Sequence, residues 1–317
     1  MAIISSWTAN NCNSNTKSHI SDYSGWEQRE HAADWILYPE NIGTHLSIDE
    51  TSLSNDELYT IVTNKAAKGR KGALVAMVKG TKAEDIIEVL RKIPDRSRRQ
   101  VEEVTLDMAA NMNLVVQRCF REAKRVTDRF HVQKLACDAV QEIRIKYRWE
   151  ALDEENAQIR KAREEKVTFV PEVLENGDTL KQLLARSRYL LFKHKDKWTA
   201  SQKQRARLLF ERYPKLKQAY GLSFKRGVIY RNCTSWQQAY KRLALWYQDV
   251  ELANIDSFRT VSKTLETHYE SILNFFNNRS TNASAESFNA KIKAFRSSSR
   301  GVRDIPFFLF RLANIYA

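Results

Sequence analysis

The chain has 317 residues, 43% of them hydrophobic, enough for one large core or for a core with an elaborate insertion. Lysine and arginine number 52 against 38 acids, and the net charge of +14 points to a polyanionic partner, nucleic acid foremost. No apolar run approaches the roughly 20 residues that span a bilayer, the N-terminus lacks a basic start and an apolar stretch, and Cys12, Cys119, Cys137 and Cys233 show no short pair spacing; these features argue against a membrane protein, a secretory leader, a zinc site and a disulfide framework, and fit a cytoplasmic protein with reduced thiols.

Residues 1–43 are polar, rich in Asn and Ser with scattered Trp, and read as a lead-in. Residues 45–51 (HLSIDET) alternate apolar and polar, which predicts a strand. Residues 58–63 (LYTIVT) predict a second strand, 68–72 (KGRKG) a turn, and 73–78 (ALVAMV) a third strand; two hairpins in succession make an antiparallel meander. Residues 82–93 carry apolar side chains at helical spacing, with Pro94 beyond their end. A fourth strand is predicted at 101–106, ending at Asp107, a helix at 111–120, and a short fifth strand at 125–127, ending at Asp128. This order predicts an α/β fold, a mixed sheet with helices on its faces. From 131 to 277 the patterns are helical, at 132–165, 180–192, 200–210, 235–252 and 255–274, with at most one short strand near Phe169. A further helix is predicted at 284–295, followed by a Ser/Arg-rich turn and an apolar C-terminus; there are no internal repeats.

Three acids stand out. Asp49 lies inside the first strand on the face of Ser47 and Thr51, and a carboxylate there is costly unless paired or metal-bound. Asp107 closes the fourth strand. If those strands are neighbours, both carboxylates meet at one edge of the sheet. Two-metal phosphoryl transfer needs such hard oxygen ligands, converging on ions about 4 Å apart. Taken singly, Asp107 also reads as a helix N-cap or a turn residue and Glu286 as a solvated surface acid. Glu286, Asn289 and Lys293 fall on one face of the predicted helix, at i, i+3 and i+7.

The chain resembles the DDE-type insertion-sequence transposases, in particular the bacterial ISL-three group and its Mutator-like and hAT-like relatives. The resemblance runs from about residue 44 to the C-terminus. It rests on Ser47-Ile48-Asp49-Glu50, on Leu106-Asp107-Met108, on the Asp-x-x-His segment Asp128-Arg129-Phe130-His131-Val132-Gln133-Lys134, and on residues 282–293 (NASAESFNAKIK), which bring Glu286. The first two motifs are weak alone; the third and fourth are long and specific. Ala283 and Ser287 stand where the family tends to have Gly, which stiffens the turn but removes no metal ligand. The resemblance implies a ribonuclease-H-like mixed sheet flanked by helices, with a large all-helical insertion in the 179 positions between Asp107 and Glu286. The implied organisation is a lead-in at 1–43, a catalytic domain of 44–131 plus 276–317, and an insertion at 132–275. Asp49, Asp107 and Glu286 are then the catalytic residues and the ligands of Mg²⁺, for which Mn²⁺ substitutes. Asp128, His131 and Asn289 are accessory. His131 would orient the scissile phosphate or assist proton transfer, with a packed His beside an N-capping Asp128 as the plainer alternative. The implied function is cleavage and strand transfer of DNA during transposition. The rivals are a ribonuclease-H-like nuclease or resolvase, and a domesticated, non-catalytic DNA-binding protein.

Residues 181–231 hold fifteen Lys/Arg and two acids, interleaved with aromatics. Such a stretch can contact phosphates and stack on unpaired bases, or enclose an aromatic core with solvated charges outside. Lys193, Lys195 and Lys197 are the expected DNA contacts there, with Arg129, Lys134 and a second cluster of Lys291, Lys293, Arg296, Arg300 and Arg303. The expected partners are transposon ends and target DNA, with the chain acting as a homo-oligomer on DNA in a bacterial nucleoid. Since no pair of short amphipathic helices or Cys/His spacing precedes residue 45, a companion protein is expected to supply end recognition.

Overall fold

The computed structural model describes residues 21–53, 57–298 and 304–317, and among these six strands form one mixed sheet. The strands are β1 (Trp35–Leu37), β2 (His45–Ser52), β3 (Leu58–Asn64), β4 (Leu74–Lys79), β5 (Glu103–Leu106) and β6 (Lys124–Thr127), in the order β1-β4-β3-β2-β5-β6. The meander β2-β3-β4 is antiparallel throughout. Its second turn needs left-handed backbone at Lys68 (φ 52°), Gly69 (φ 69°) and Gly72 (φ 79°), which explains two glycines within four residues. β5 then pairs in parallel with β2, and β6 with β5. Parallel neighbours require crossovers, and α1 (Ala83–Leu90), α2 (Asp95–Arg99) and α3 (Ala110–Cys119) lie in those connections.

Alternation along the strands sends side chains to two different layers. Leu46, Ile48, Val62, Val104 and Leu106 pack with Ile86, Val89 and Leu90 of α1 and Met112, Val115 and Val116 of α3. On the other face Ile36, Tyr59, Ile61, Leu74 and Met77 meet Phe288 and Ile292 of a C-terminal helix (Ala283–Ser298), and Phe308, Leu309 and Leu312 of the last helix (Ile305–Tyr316). That second layer covers the β1-β4-β3 half of the face. The β2-β5-β6 half carries polar side chains instead.

The chain divides into two compact units: residues up to Asp128 together with Asn278–Ala317, and Arg129–Asn277. The second is helical: α4 (Arg129–Glu164), α5 (Leu180–Arg186), α6 (Ala200–Arg212), α7 (Pro214–Asn232), α8 (Trp236–Ala253), α9 (Asp256–Thr267) and α10 (Tyr269–Asn278), whose final residue belongs to the first unit. Capping boxes start α5 (Thr179, Gln182) and α6 (Thr199, Gln202). The buried Trp246 of α8 donates its indole N–H to the Leu222 carbonyl at 2.9 Å. In chain order the two C-terminal helices are α11 (Ala283–Ser298) and α12 (Ile305–Tyr316).

Several expectations need correction. Within residues 21–43 of the lead-in lie β1 and Tyr23, which packs edge-on against Phe307 and Phe310. The short strand near Phe169 is only an isolated bridge between Val173 and Thr179. α7 had no clear signature, because Leu216, Tyr220, Leu222, Arg226 and Ile229 are buried around much of its circumference. The helix expected over 255–274 breaks at His268, where the backbone leaves helical geometry. Among the described residues Cys119, Cys137 and Cys233 are buried, and no helix is long and apolar enough to cross a membrane.

Candidate active site on the polar half of the sheet

The polar half-face follows from register. Ser47 of β2 pairs with Thr105 of β5 in parallel, and Asp49 and Asp107 each come two residues further on, Asp49 still within β2 and Asp107 one residue past the end of β5. Neighbouring strands lie about 4.8 Å apart. Asp49 is partly buried. Its Oδ1 accepts from the Glu50 amide at 2.9 Å, and its Oδ2 accepts from Nδ2 of Asn289 at 2.7 Å. Asp107 Oδ1 accepts from the Ala109 amide at 2.9 Å, which turns the chain into α3. The Asp107 carboxylate therefore does form the local turn that the plainer reading envisaged.

Glu286 lies in the first turn of α11 with its side chain exposed. Asn289, one turn on, is buried. Its Oδ1 has no hydrogen-bond partner among the described residues. A buried carbonyl oxygen left without a donor, beside a carboxylate, suits a hard cation or a water bound to one. Asp49 and Asp107 each accept from protein donors. Among the described residues no three or more His, Cys, Asp or Glu side chains form a group that could hold a metal ion. The structure thus joins Asp49 to Asn289 and brings the strand of Asp49 beside the strand that Asp107 follows, but does not gather the three acids into one cluster. Three carboxylates repel one another without a cation between them.

Deeper on the same face lies a polar layer that sequence reasoning missed. Lys65 begins the 3-10 turn after β3, which Asn64 caps through the Ala66 amide. Its Nζ donates to Thr105 Oγ1 at 2.7 Å and to Glu103 Oε1 at 3.3 Å, and Glu103 also accepts from Asn278 at 3.4 Å. Burial pushes the Lys65 ammonium below its ordinary pKa, against the opposing pull of Glu103 and Asp128. Ser47 donates to Asn282 Oδ1, tying β2 to the segment that leads into α11. The available signal was the alternation Glu103-x-Thr105-x-Asp107 opposite Ser47-x-Asp49, which shares a face only once the β2-β5 pairing is known.

The remaining predicted residues are scattered. Asp128 is buried and immediately precedes α4. Arg129, His131 and Lys134 follow in the first turns of α4, with Arg129 and Lys134 exposed and His131 half-buried. Lys193, Lys195 and Lys197 are all exposed. Lys293 is exposed, and Lys291 donates to the Gly69 carbonyl at 3.0 Å. Arg296 is not a free DNA contact. It pairs with Glu57 at 3.1 Å, lies over the Phe308 ring, and its side chain is only 13% exposed. Arg300 and Arg303 lie outside the described residues.

The charge excess of 181–231 is also partly answered within the helical unit. Lys181 pairs with Glu155, Arg186 and Arg205 with the buried Asp178, Arg207 with Glu175, Arg212 with Glu172 and Lys225 with Asp249. Those acids lie outside the stretch in sequence, so counting charge along the chain overstated the need for an external anion.

A transposase family model, the ISL3 group of the DDE type, matches residues 46–312, and the chain belongs to that family. The chain is also similar to the transposase for insertion sequence element IS1001 of Bordetella parapertussis, 23% identical over 272 residues, which cover 84% of this chain and 60% of that relative. The chain therefore spans about 60% of the length of the curated relative it matches. No solved structure matches it.

Proposed function

We propose that this chain cuts and joins DNA during transposition of an insertion sequence, with Asp49, Asp107 and Glu286 as its catalytic acids. The observation that supports this reading is the parallel β2-β5 pairing, with Ser47 opposite Thr105 and the two aspartates each two residues further on, together with the Asn289–Asp49 bond that ties the helix of Glu286 to β2. The element order, a meander followed by parallel strands alternating with helices, supports a ribonuclease-H-like domain of 44–131 plus 276–317, with 132–275 as its helical insertion. The three acids and the Asn289 carbonyl would hold divalent ions, Mg²⁺ with Mn²⁺ as substitute, which supply Lewis acidity to the attacking and leaving oxygens. Asn289 holds Asp49 in place, and Lys293 is disposed to meet a phosphate near the cut. His131 and Asp128 are proposed as accessory groups, and the protein as a homo-oligomer on DNA with a companion protein for end recognition.

The test is a strand-transfer assay of the purified chain on DNA bearing the element's terminal repeats, with Mg²⁺ or Mn²⁺. Joined products are expected. Asp49→Asn, Asp107→Asn and Glu286→Gln should each abolish them while duplex binding persists. Full activity in any of the three would overturn the assignment, and hydrolysis without joining would make the chain a nuclease.

A further inference from the structure

A pocket of about 520 Å³ opens on the helical unit, walled by Trp236, Tyr240 and Tyr247 of α8, Glu266 of α9 and Tyr269 of α10. Trp236 and Tyr240, one helical turn apart, stack with rings 6° from parallel and centroids 5.2 Å apart. Tyr240 is 50% exposed and Tyr269 48%. Aromatic groups of this size are normally buried or given to a partner. The Tyr247 hydroxyl is buried without a hydrogen-bond partner among the described residues, and the Glu266 carboxylate, which accepts from Ser262 at 3.1 Å, lies on the same wall. An unused O–H donor and a carboxylate acceptor, set among aromatic rings, complement a flat heterocycle with both an acceptor and an N–H donor on its edge.

Two classes of ligand could use such a wall, a nucleobase or a cationic side chain. Geometry and charge separate them. Trp236 and Tyr240 lie parallel to each other, which makes a platform for a flat ligand, whereas a cation is best met by rings set around it. Lys241 and Arg242, both exposed, directly follow Tyr240 on α8. Those charges repel a cationic chain and attract phosphates. We propose that the pocket receives one unpaired nucleobase of bound DNA, stacked on the Trp236–Tyr240 platform, with Lys241 and Arg242 meeting the flanking phosphates. The proposal rests on the reading of the chain as a DNA transposase. Stacking tolerates any base, whereas Glu266 favours bases with an exocyclic amino group.

The test uses the full chain and two DNA duplexes, one fully paired and one with a single unpaired base. Tyr240→Ala should weaken binding of the second duplex roughly tenfold and leave the first unchanged; Tyr240→Phe should restore it. In a second measurement on the unaltered protein, 5-iodouracil at the unpaired position should photocrosslink to Trp236 or Tyr240, located by mass spectrometry. Equal weakening on both duplexes, a crosslink to residues outside the pocket, or abolition of the crosslink by arginine amide at constant ionic strength would each overturn the proposal. Retained binding of paired DNA in those cases leaves the transposase reading standing; a chain that binds neither duplex overturns both.

Discussion

The side-chain amide of Asn289 donates a 2.7 Å hydrogen bond to Oδ2 of Asp49, across 240 positions of the chain. It is the direct link between the strand of the first acid and the helix of the third. Partners that orient a ligand carboxylate typically affect metal affinity or rate by about 10- to 100-fold. Asn289→Ala should therefore cut strand transfer by that order while duplex affinity stays within about twofold. Single-turnover cleavage alongside an equilibrium binding titration decides it; unchanged cleavage would remove Asn289 from the site.

Arg296 behaves as a structural residue, given its pair with Glu57 and its position over Phe308. Arg296→Ala should destabilise the sheet unit by about 2 kcal/mol, since hydrogen bonds to charged groups are worth about 1.5–3 kcal/mol. Thermal unfolding should show a drop of a few degrees, with the salt dependence of DNA binding unaltered. Lys293→Ala should do the reverse, leaving the melting temperature alone and lowering the salt slope by roughly one unit.

Lys193, Lys195 and Lys197 are exposed, whereas Arg205 and Arg207 of the neighbouring helix are held by acids. Replacing the three lysines by Ala should reduce the slope of log affinity against log salt by roughly one unit for each DNA phosphate that is no longer neutralised. Arg207→Ala should change it by much less. Fluorescence anisotropy on a duplex across a salt series separates the two. Equal slopes for all variants would assign the lysines to a solvated face.

Asp178 is fully buried between Arg186 and Arg205. Burial alone would push its carboxyl up, but hydrogen bonds from Arg205 and Arg186 outweigh it and hold the pKa below the usual carboxylate range. A depressed folded-state pKa contributes stability above the unfolded value of about 3.9, and that contribution is lost as pH falls through the folded value. Asp178→Asn should thus destabilise the helical unit by about 3 kcal/mol near neutrality, because the arginines keep their charge without a carboxylate. The gap between the two unfolding curves should narrow on acidification from about pH 5 to about pH 3. A gap that widens in acid would refute the sign.

Much of the sheet was legible because local periodicity carries it. Strand β2 alternates apolar and polar, β3 and β4 are short runs rich in apolar and β-branched residues with turn residues between them, and α1 has an apolar stripe ending before Pro94. Elements with weak periodicity escaped. β1 is three residues in a polar context, and α7 buries so much of its circumference that no single stripe forms.

The site divides along the same line. Asp49, Asp107 and Glu286 could be named from residue type, strand and helix placement, and motif, all of which are local in the chain. That the strand of Asp49 runs beside the strand leading to Asp107 depended on β2 and β5 pairing in parallel with Ser47 opposite Thr105, a register that joins segments 58 positions apart. The fate of each charge was equally a matter of three dimensions. Lys65, Arg296 and Arg205 look like any other basic residue in the sequence, but burial makes an unpaired charge too costly, so each is held by an acid brought from elsewhere in the chain. Sequence determines which charges exist; only the tertiary packing decides which are neutralised internally and which remain exposed.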